Sequence, residues 1–197
     1  MPAQAGIHDF SHPMTPPSAP RIIAGTWKGR RLTAPEGLET RPTNTRARQA
    51  IFDILSHAPW CELRGAKILD VFAGTGAYGL EALSRGAASA VFFEHSAPAL
   101  AALRQNITAC SAKARIIPGD ILRVPPGEPH DLIFLDPPYG KNLVPQALST
   151  LRAQNWLAPG ALIIAEFGPD DEMATPDLLA ERAHGKARVK IWRERQT

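Results

Sequence analysis

Short apolar runs alternate with segments of helical periodicity between Lys67 and Ala165, and this alternation limits the fold more than any other feature of the chain. Apolar runs bounded by polar residues or glycine predict buried strands, and the segments between them are long enough for helices. Strands that alternate with helices pair in parallel, because each connection has to cross the sheet. The sequence therefore predicts an α/β fold, with a mainly parallel sheet and helices on both faces.

The predicted strands fall at seven places along the chain. They are residues 67–72, 90–93, 115–117, 131–135, 161–165, 178–183 and 187–192. The last two are joined by His184 and Gly185, which predicts a C-terminal antiparallel hairpin. A first helix is expected to be capped by Thr43 or Thr45 and to be ended by Pro59. Further helices are predicted over residues 79–85, 97–109 and 143–154.

The segment before the first helix differs in composition from the rest. Residues 1–20 are rich in Pro, Ala and Ser and lack the basic start and apolar middle of a signal peptide, which predicts a disordered tail with Met14 as an alternative start. Residues 21–32 predict a small β-hairpin with Gly25 and Gly29 near its turn. The expected organisation is a tail (1–20), a basic extension (21–42) and one domain (43–197).

Positive charge is clustered, although the net charge is only +3. The basic residues near the start are Arg21, Lys28, Arg30, Arg31, Arg41, Arg46 and Arg48, and a second group lies between residues 182 and 195. A segregated basic face indicates a polyanionic partner, because contacts with phosphates release counterions. An ordinary solvated surface is the alternative interpretation.

Several classes of protein are disfavoured by what the sequence lacks. No apolar stretch approaches the ~20 residues of a membrane span. The two cysteines, Cys61 and Cys110, have no metal-ligand or CxxC spacing, and the histidines show no metal-binding pattern. We therefore expect free thiols, a cytoplasmic location and no metal site. Because neither heptads nor an obvious apolar patch is present, we expect a monomer.

A glycine loop follows the first predicted strand. Gly74, Gly76 and Gly79 match the GxGxxG pattern of dinucleotide sites. However, Asp70 ends the strand and would repel a pyrophosphate, and no cation nearby offsets its charge. A carboxylate at this place suits a ligand with a cationic ammonium group, such as the methionine part of S-adenosylmethionine. The glycines would let the backbone pass close to that ligand.

Acidic residues end four successive strands of the predicted sheet. They are Asp70, Glu94, Asp120 and Asp136. Glu94 can accept hydrogen bonds from two ribose hydroxyls, and Asp120 can accept from an adenine amine while Ile121 packs on the ring. Each acid alone could be a helix cap or a solvated loop end. Because the carboxyl ends of parallel strands lie at one edge of a sheet, the set of four favours a shared ligand site.

The tetrapeptide Asp136-Pro137-Pro138-Tyr139 predicts a rigid loop directly after a buried strand. Proline fixes φ and offers a carbonyl without an N–H. Asp136 and the Pro137 carbonyl could accept from the amino group of a flat ring, and Tyr139 could stack on that ring. A strand-ending turn with a surface tyrosine is the other interpretation of these four residues.

Together, the glycine loop (70–76) and the tetrapeptide resemble the class I S-adenosylmethionine-dependent methyltransferases, which have a Rossmann-like fold. A narrower resemblance comes from residues 21–31, 41–48, 51–55 and 79–85, which are similar to the RsmD family of bacterial 16S rRNA (guanine-N(2)-)-methyltransferases. The resemblance covers residues 21–195. The glycine loop and tetrapeptide are shared by many amino-methyltransferases, so the basic N-terminal block is the specific part. The sequence departs from the family in having His95 and Ser96, rather than a further acid, after Glu94.

The resemblance implies a cofactor, S-adenosyl-L-methionine, and a substrate, 16S rRNA in the small ribosomal subunit. The implied catalytic residues are Asp136, Pro137, Pro138 and Tyr139. The implied cofactor-binding residues are Asp70, Phe72, Gly74, Thr75, Gly76, Glu94, Asp120 and Ile121. The implied RNA-binding residues are Arg21, Trp27, Lys28, Arg30, Arg31, Arg41, Arg46 and Arg48. Trp27 could equally fill the core, and the arginines at 41, 46 and 48 could brace the hairpin instead.

Three other functions remain open from the sequence. A DNA adenine methyltransferase could use the same tetrapeptide, although the short loop 125–129 leaves little room for a target-recognition domain. A non-catalytic RNA-binding assembly factor could retain the fold, but the intact acids argue against it. An NAD-dependent oxidoreductase is disfavoured by Asp70 and by the lack of an obvious acid or base for hydride transfer.

Overall fold

A computed structural model describes residues 19–35 and 42–195 of the chain. Within these ranges it contains seven strands and four α-helices. In chain order they are α1 (Pro42–His57), β1 (Lys67–Asp70), α2 (Ala77–Ser84), β2 (Ser89–Glu94), α3 (Ala97–Cys110), β3 (Ala114–Pro118), β4 (His130–Leu135), α4 (Leu143–Ala153), β5 (Leu157–Phe167), β6 (Leu178–His184) and β7 (Ala187–Arg193). A short 3-10 turn, Ile121–Arg123, lies between β3 and β4.

The seven strands form one sheet in the order β3-β2-β1-β4-β5-β7-β6. Strands β1 to β5 pair in parallel, whereas β7 is antiparallel to both β5 and β6. The order reverses direction at β1, since β2 lies on one side of it and β4 on the other. The predicted α/β class, the seven-stranded mainly parallel sheet and the C-terminal antiparallel hairpin are confirmed.

Successive residues of the strands point into two separate cores. Ile68 and Phe92 pack on the face covered by α1, α2 and α3, and their chain neighbours Leu69 and Phe93 pack on the face covered by α4 and the 3-10 turn. This alternation follows from the two-residue period of a strand. Because both faces are buried, the strands are apolar along their whole length, which is why they could be recognised in the sequence.

The register of the strands brings their carboxyl ends to one edge. Asp70 pairs with Phe92 and Phe134, and Leu135 pairs with Ala165. The residues that follow β1, β2 and β4 therefore leave the sheet side by side. A ligand at this edge would lie beside the switch in strand order, the usual place for a site in an open α/β sheet.

The N-terminal segment is less regular than the predicted hairpin. Its two arms meet at one antiparallel bridge, Arg21 to Arg31, and at a few turn hydrogen bonds. The reason is that its backbone donors are used elsewhere: the N–H groups of Ile23 and Ala24 donate to the carboxylate of Glu81 on α2, at 2.6 and 3.0 Å. Strand pairing cannot extend while these groups are bound to a helix.

Other boundaries shift by a few residues. Helix α1 begins at Pro42, so both Thr43 and Thr45 lie inside it and the predicted cap at one of them is wrong. Proline suits the first helical position, because an N–H there would have no partner within the helix. Strand β5 reaches Phe167, two residues beyond the prediction. The predicted disordered tail, except its last two residues, and most of the loop before α1 lie outside the described residues. The predicted division into tail, extension and domain stays a prediction.

We expect Gly25→Ala to destabilise the protein more than Gly29→Ala. Both glycines have a left-handed backbone (φ +79° and +82°), so alanine costs about 1 kcal/mol at either place. A Cβ at position 25 would lie 1.8 Å from the carbonyl oxygen of Ser84, whereas a Cβ at position 29 meets nothing within 4 Å. This clash should add about 1–3 kcal/mol, measured by urea denaturation. Equal losses for the two variants would contradict close packing of this segment on α2.

Candidate active site

A cavity of about 460 Å³ lies at the carboxyl edge of the sheet. Its walls come from the residues after β1, β2, β3 and β4. They include Phe72, Phe93, Glu94, Asp120, Ile121, Asp136 and Pro138. A mainly apolar cleft of this size with a few carboxylates is typical of a small-molecule site.

A second cavity, of about 200 Å³, lies along the glycine loop. Among its lining residues are Arg48, Gly74, Thr75 and Tyr78. Phe72 and Asp136 line both cavities, so the two adjoin at Asp136. The structure thus brings the predicted glycine loop, the acid after β2 and the tetrapeptide to one place.

Glu94 ends β2 and is buried. Its carboxylate accepts hydrogen bonds from the N–H of Gly74 at 2.8 Å, of His95 at 2.8 Å and of Ser96 at 2.7 Å. A carboxylate has about four lone-pair positions, so three bonds leave limited capacity for a ligand. Glu94 therefore holds the glycine loop in place as well as lining the larger cavity.

Asp70 lies beneath the glycine loop and does not line either cavity. One of its oxygens accepts from the N–H of Gly79 at 2.9 Å, in the first turn of α2. Burial raises the pKa of Asp70 to about 7 and the charge of Glu94 adds to the rise, while the Gly79 N–H and Arg48 act in the opposite direction. The expectation that no cation offsets the charge of Asp70 is therefore wrong, because Arg48 reaches it from α1, which is distant in the sequence. In the structure, Asp70 stabilises the first turn of α2 through this hydrogen bond. Its predicted contact with an ammonium group stays a prediction.

Two glycines of the loop are needed for packing. A Cβ at Gly76 would lie 2.5 Å from Leu103, and a Cβ at Gly79 would lie 2.4 Å from the ring of Phe92. Gly74, by contrast, has open space around it and a φ of +53°. Only Gly74 among the three therefore fits the predicted role of leaving room for a ligand.

Asp120 and Ile121 follow β3 and lie together on the wall of the larger cavity. Asp120 accepts from the N–H of Leu122 at 3.0 Å and so caps the 3-10 turn. The Ile121 side chain is buried against the core. The turn presents one carboxylate and one apolar side chain to the cavity, as the sequence predicts.

The tetrapeptide after β4 is the point where the two cavities meet. Pro137 is buried, and Pro138 lines the larger cavity. Tyr139 is 50% exposed and its hydroxyl donates to the carboxylate of Glu166. Burial raises the pKa of Asp136 to about 8, and the negative charges of Glu166 and Asp70 add to the rise. Asp136 is therefore a carboxyl group that binds its proton unusually tightly.

The predicted RNA-binding residues divide by exposure. The exposed ones are Arg21, Lys28, Arg30, Arg31 and Arg46. Trp27 is partly buried and packs against the core below the segment. Arg41 lies outside the described residues.

Arg48 differs from the other basic residues because it is buried, at 3% exposed. One of its Nη atoms donates to the carbonyl of Arg21 at 2.6 Å, which corresponds to the bracing role left open by the sequence. Its Nε has no hydrogen-bond partner among the described residues, although it is buried. A buried donor without a partner costs about 1–3 kcal/mol and points to a ligand group that would accept from it.

Sequence reasoning missed several buried polar residues that support the site. Glu81 and Ser84 on α2 bind the backbone of the N-terminal segment. Asn106 on α3 donates to the carbonyls of Thr33 and Thr75, and so ties that segment to the glycine loop. The signal that could have found them is a polar residue on the apolar face of a predicted helix.

Within residues 19–35 and 42–195, no helix is long and apolar enough to cross a membrane. Across the same part of the chain, no group of three or more His, Cys, Asp and Glu side chains is placed to hold a metal ion.

The sheet order, the antiparallel β7 and the crevice beside the glycine loop define a Rossmann-like methyltransferase. The family described as "Conserved hypothetical protein 95" matches residues 20–193, and the chain belongs to this family, the RsmD family. It is similar to "Ribosomal RNA small subunit methyltransferase D" of Haemophilus influenzae, with 38% identity over 182 residues that cover 87% of this chain and 92% of the relative. The protein of the same name from Escherichia coli K12 is 36% identical over 79% of this chain and 78% of its own.

Solved structures agree with this assignment. "Putative methyltransferase yhhF from Escherichia coli" superposes with a TM-score of 0.79 and 34% identity, over 90% of this chain and 98% of that one. A second, "putative methylase HI0767 from Haemophilus influenzae", has a TM-score of 0.72 and 34% identity, over 90% of this chain and 99% of that one. The predicted family, fold and class of enzyme, a methyltransferase, are confirmed.

Asp70→Asn should reduce the loss of stability as the pH rises. Because folding raises the pKa of Asp70 to about 7, the folded state binds its proton more tightly than the unfolded state, and stability falls between about pH 4 and pH 7. Asparagine does not titrate and can still accept from the Gly79 N–H. The decline in the free energy of unfolding should shrink by on the order of 3 kcal/mol, measured by denaturant titration at several pH values. Asp170→Asn, an exposed control, should leave the decline as in the wild type; an unchanged decline in Asp70→Asn would contradict the raised pKa.

Proposed function

We propose that the chain transfers a methyl group from S-adenosylmethionine to the 2-amino group of a guanine in the 16S rRNA of the small ribosomal subunit. The observation that carries the proposal is the position of Asp136, a partly buried carboxyl group shared by a cofactor-sized cavity and the cavity along the glycine loop. The RNA substrate is supported by the names of the relatives, which are ribosomal RNA methyltransferases. A monomeric, cytoplasmic enzyme belongs to the same proposal.

The residues around the two cavities fit the groups of S-adenosylmethionine. In the larger cavity, Glu94 would accept from the ribose, Asp120 from the adenine amine, and Ile121 would pack on the ring. In the smaller cavity, the guanidinium of Arg48 would donate to the carboxylate of the methionine part. Phe72, Gly74, Thr75 and Gly76 complete the predicted set, and Asp70 supports it from below. When bound, the cofactor supplies an electrophilic methyl group.

Asp136 and the Pro137 carbonyl would act on the guanine amine. The lone pair of this amine is delocalised into the ring, which makes it a poor nucleophile. Hydrogen bonds from both N–H groups to these acceptors localise the lone pair and orient it. As positive charge develops on nitrogen, an ionised Asp136 stabilises that charge electrostatically. Its raised pKa, near the working pH, also suits Asp136 to take up the proton afterwards.

Tyr139 and Pro138 would hold the target base at the mouth of the site. A base edge inside folded RNA is not accessible, so enzymes that modify bases extract them and stack them on apolar or aromatic side chains. Tyr139 is half exposed beside Asp136, which is the position that such stacking needs.

The exposed basic residues of the N-terminal segment and α1 would bind phosphates. They are Arg21, Lys28, Arg30, Arg31 and Arg46. The segment is fixed on α2 through Glu81 and Ser84, so its charges hold a constant position relative to the glycine loop. Such contacts position the RNA, while the base is selected in the site.

Removal of these charges should weaken the salt dependence of RNA binding. Each phosphate contact contributes about 0.7–0.9 to the slope of log K against log salt concentration, so Lys28→Ala and Arg31→Ala should each lower the slope by about that amount. Binding of small subunits is measured by filter retention at several salt concentrations. Lys67→Ala is the matched control, because Lys67 is exposed at the opposite edge of the sheet, where β1 begins. A slope that falls equally in all three variants would contradict a localised RNA-binding face.

The reaction itself is tested with small ribosomal subunits from a bacterium that lacks the endogenous enzyme. Wild-type protein with a labelled methyl donor should yield N2-methylguanosine in 16S rRNA, identified by nucleoside mass spectrometry. Asp136→Ala should lower the single-turnover rate at least about 100-fold, since acid–base and electrostatic contributions of this size are usual for one group. Its affinity for the cofactor, measured by calorimetry, should stay within a few-fold of wild type.

Three results would contradict the proposal. Methylation of adenine in duplex DNA instead of RNA would support the adenine-methyltransferase alternative. Binding of small subunits without cofactor binding would support a non-catalytic assembly factor. Wild-type turnover in Asp136→Ala would reject the role of Asp136, and Glu62→Gln, exposed at the far edge of the sheet, controls for general effects of substitution.

A further inference from the structure

Strand β5 delivers an acid to the same edge as Asp136. Leu135 of β4 pairs with Ala165 of β5, so the next residues, Asp136 just after β4 and Glu166 near the end of β5, lie side by side. Both line a small cavity that also includes Tyr78. A second carboxylate therefore lies next to the group assigned to the guanine amine.

Glu166 also contacts the tetrapeptide directly. The hydroxyl of Tyr139 donates to the Glu166 carboxylate. Gly168, two residues after Glu166, lies against the side chain of Tyr139. A Cβ at Gly168 would be 3.1 Å from the Cβ of Tyr139 and 3.2 Å from its Cγ. The end of β5 and the residues after it thus form the support on which Tyr139 rests.

We propose that Glu166 is a positioning residue of the methyl-transfer site, which anchors the Tyr139 ring through its hydroxyl and places a second negative charge beside Asp136. This inference rests on the proposed function for its role in the reaction, but the anchoring and the charge pairing are testable without it.

Among the charged groups around Asp136, Glu166 has the largest effect on its pKa. Burial makes the largest contribution to the raised pKa of Asp136, Glu166 follows, and Asp70 is third. The other charged or titratable groups on the surrounding walls are Arg48 and Tyr78 in the smaller cavities and Glu94, His95, Asp120 and Lys141 in the larger one. On β7, the strand paired with β5, Arg188 and Lys190 donate to the carbonyls of Asp171 and Met173.

The charge pair has a consequence for the proton of the reaction. When the guanine nitrogen forms its bond to the methyl carbon, the carbon–sulfur bond of the donor breaks and the nitrogen must lose one proton. Ionised Asp136 accepts that proton, and a neighbouring negative charge increases its affinity for it. Glu166 does not touch the reacting atoms; it acts through Asp136 and through Tyr139.

Glu166→Gln separates the two effects, because glutamine keeps an oxygen for the Tyr139 hydroxyl and loses the charge. The midpoint of the Asp136 carboxyl, followed by carbon-13 NMR and assigned by its loss in Asp136→Asn, should fall by about one pH unit. The pH profile of kcat/KM for small subunits should shift to lower pH by the same amount. Tyr139→Phe keeps the charge and loses the anchor, so it should raise KM several-fold and leave the midpoint unchanged.

Glu172→Gln is the matched control, since Glu172 is an exposed acid in the segment after β5 and does not line the cavity. It should change neither the midpoint nor KM. An unchanged Asp136 midpoint in Glu166→Gln, or a wild-type KM in Tyr139→Phe, would overturn the inference. If the wild-type protein transfers no methyl group, the proposed function fails, whereas the NMR titration still decides whether Glu166 controls Asp136.

Discussion

The position of three carboxyl groups at one edge of the sheet, two of them buried and the third partly buried, is the constraint on which the site depends. Asp70 and Glu94 end β1 and β2, and Asp136 directly follows β4. Because β1 pairs in parallel with both other strands, the register of the sheet fixes the three residues at one edge. Removal of a carboxylate from water is costly unless it is hydrogen-bonded or neutralised. Glu94 is compensated by three backbone N–H groups, whereas Asp70 and Asp136 have raised pKa values. Glu94, with its three hydrogen bonds, therefore holds the glycine loop in place. Asp136, with its raised pKa, is suited to exchange a proton.

The N-terminal segment is connected to the same edge through α2 and α3. Glu81 and Ser84 bind its backbone from α2, the helix that the glycine loop opens. Asn106 joins Thr33 to Thr75 from α3. These buried polar contacts make the basic segment part of the rigid scaffold. Phosphates bound by the segment would therefore be placed at a fixed distance from Asp136, which is what positioning of a base for transfer requires.

The sequence was most informative where a local pattern and the global fold coincide. Strands buried on both faces are continuous apolar runs, so their places could be predicted, and acids directly after them could be assigned to one edge. Glu166 directly follows the predicted run 161–165, but it was not assigned to the site, because the sequence does not reveal that β5 lies next to β4 in the sheet. Arg48 was grouped with exposed cations, since charge patterns do not reveal burial. The predicted N-terminal hairpin has less strand pairing than expected, because the N–H groups of Ile23 and Ala24 donate to Glu81 on a helix almost sixty residues away.

The glycine loop shows why a motif needs its surroundings to identify a ligand. Two of its three glycines are required by contacts with Leu103 and Phe92, which any tightly packed strand–loop–helix unit would impose. The GxGxxG spacing therefore reports how α2 packs on the sheet. Selection among nucleotide-like ligands has to come from the charges around the loop. Here Glu94 accepts a hydrogen bond from the N–H of Gly74, and Arg48, whose buried Nε has no partner among the described residues, lines the adjoining cavity. These surroundings combine carboxylates with one cationic side chain. They suit an amino acid, which carries one carboxylate and one ammonium group, better than a pyrophosphate, which carries more negative charge than one cation offsets.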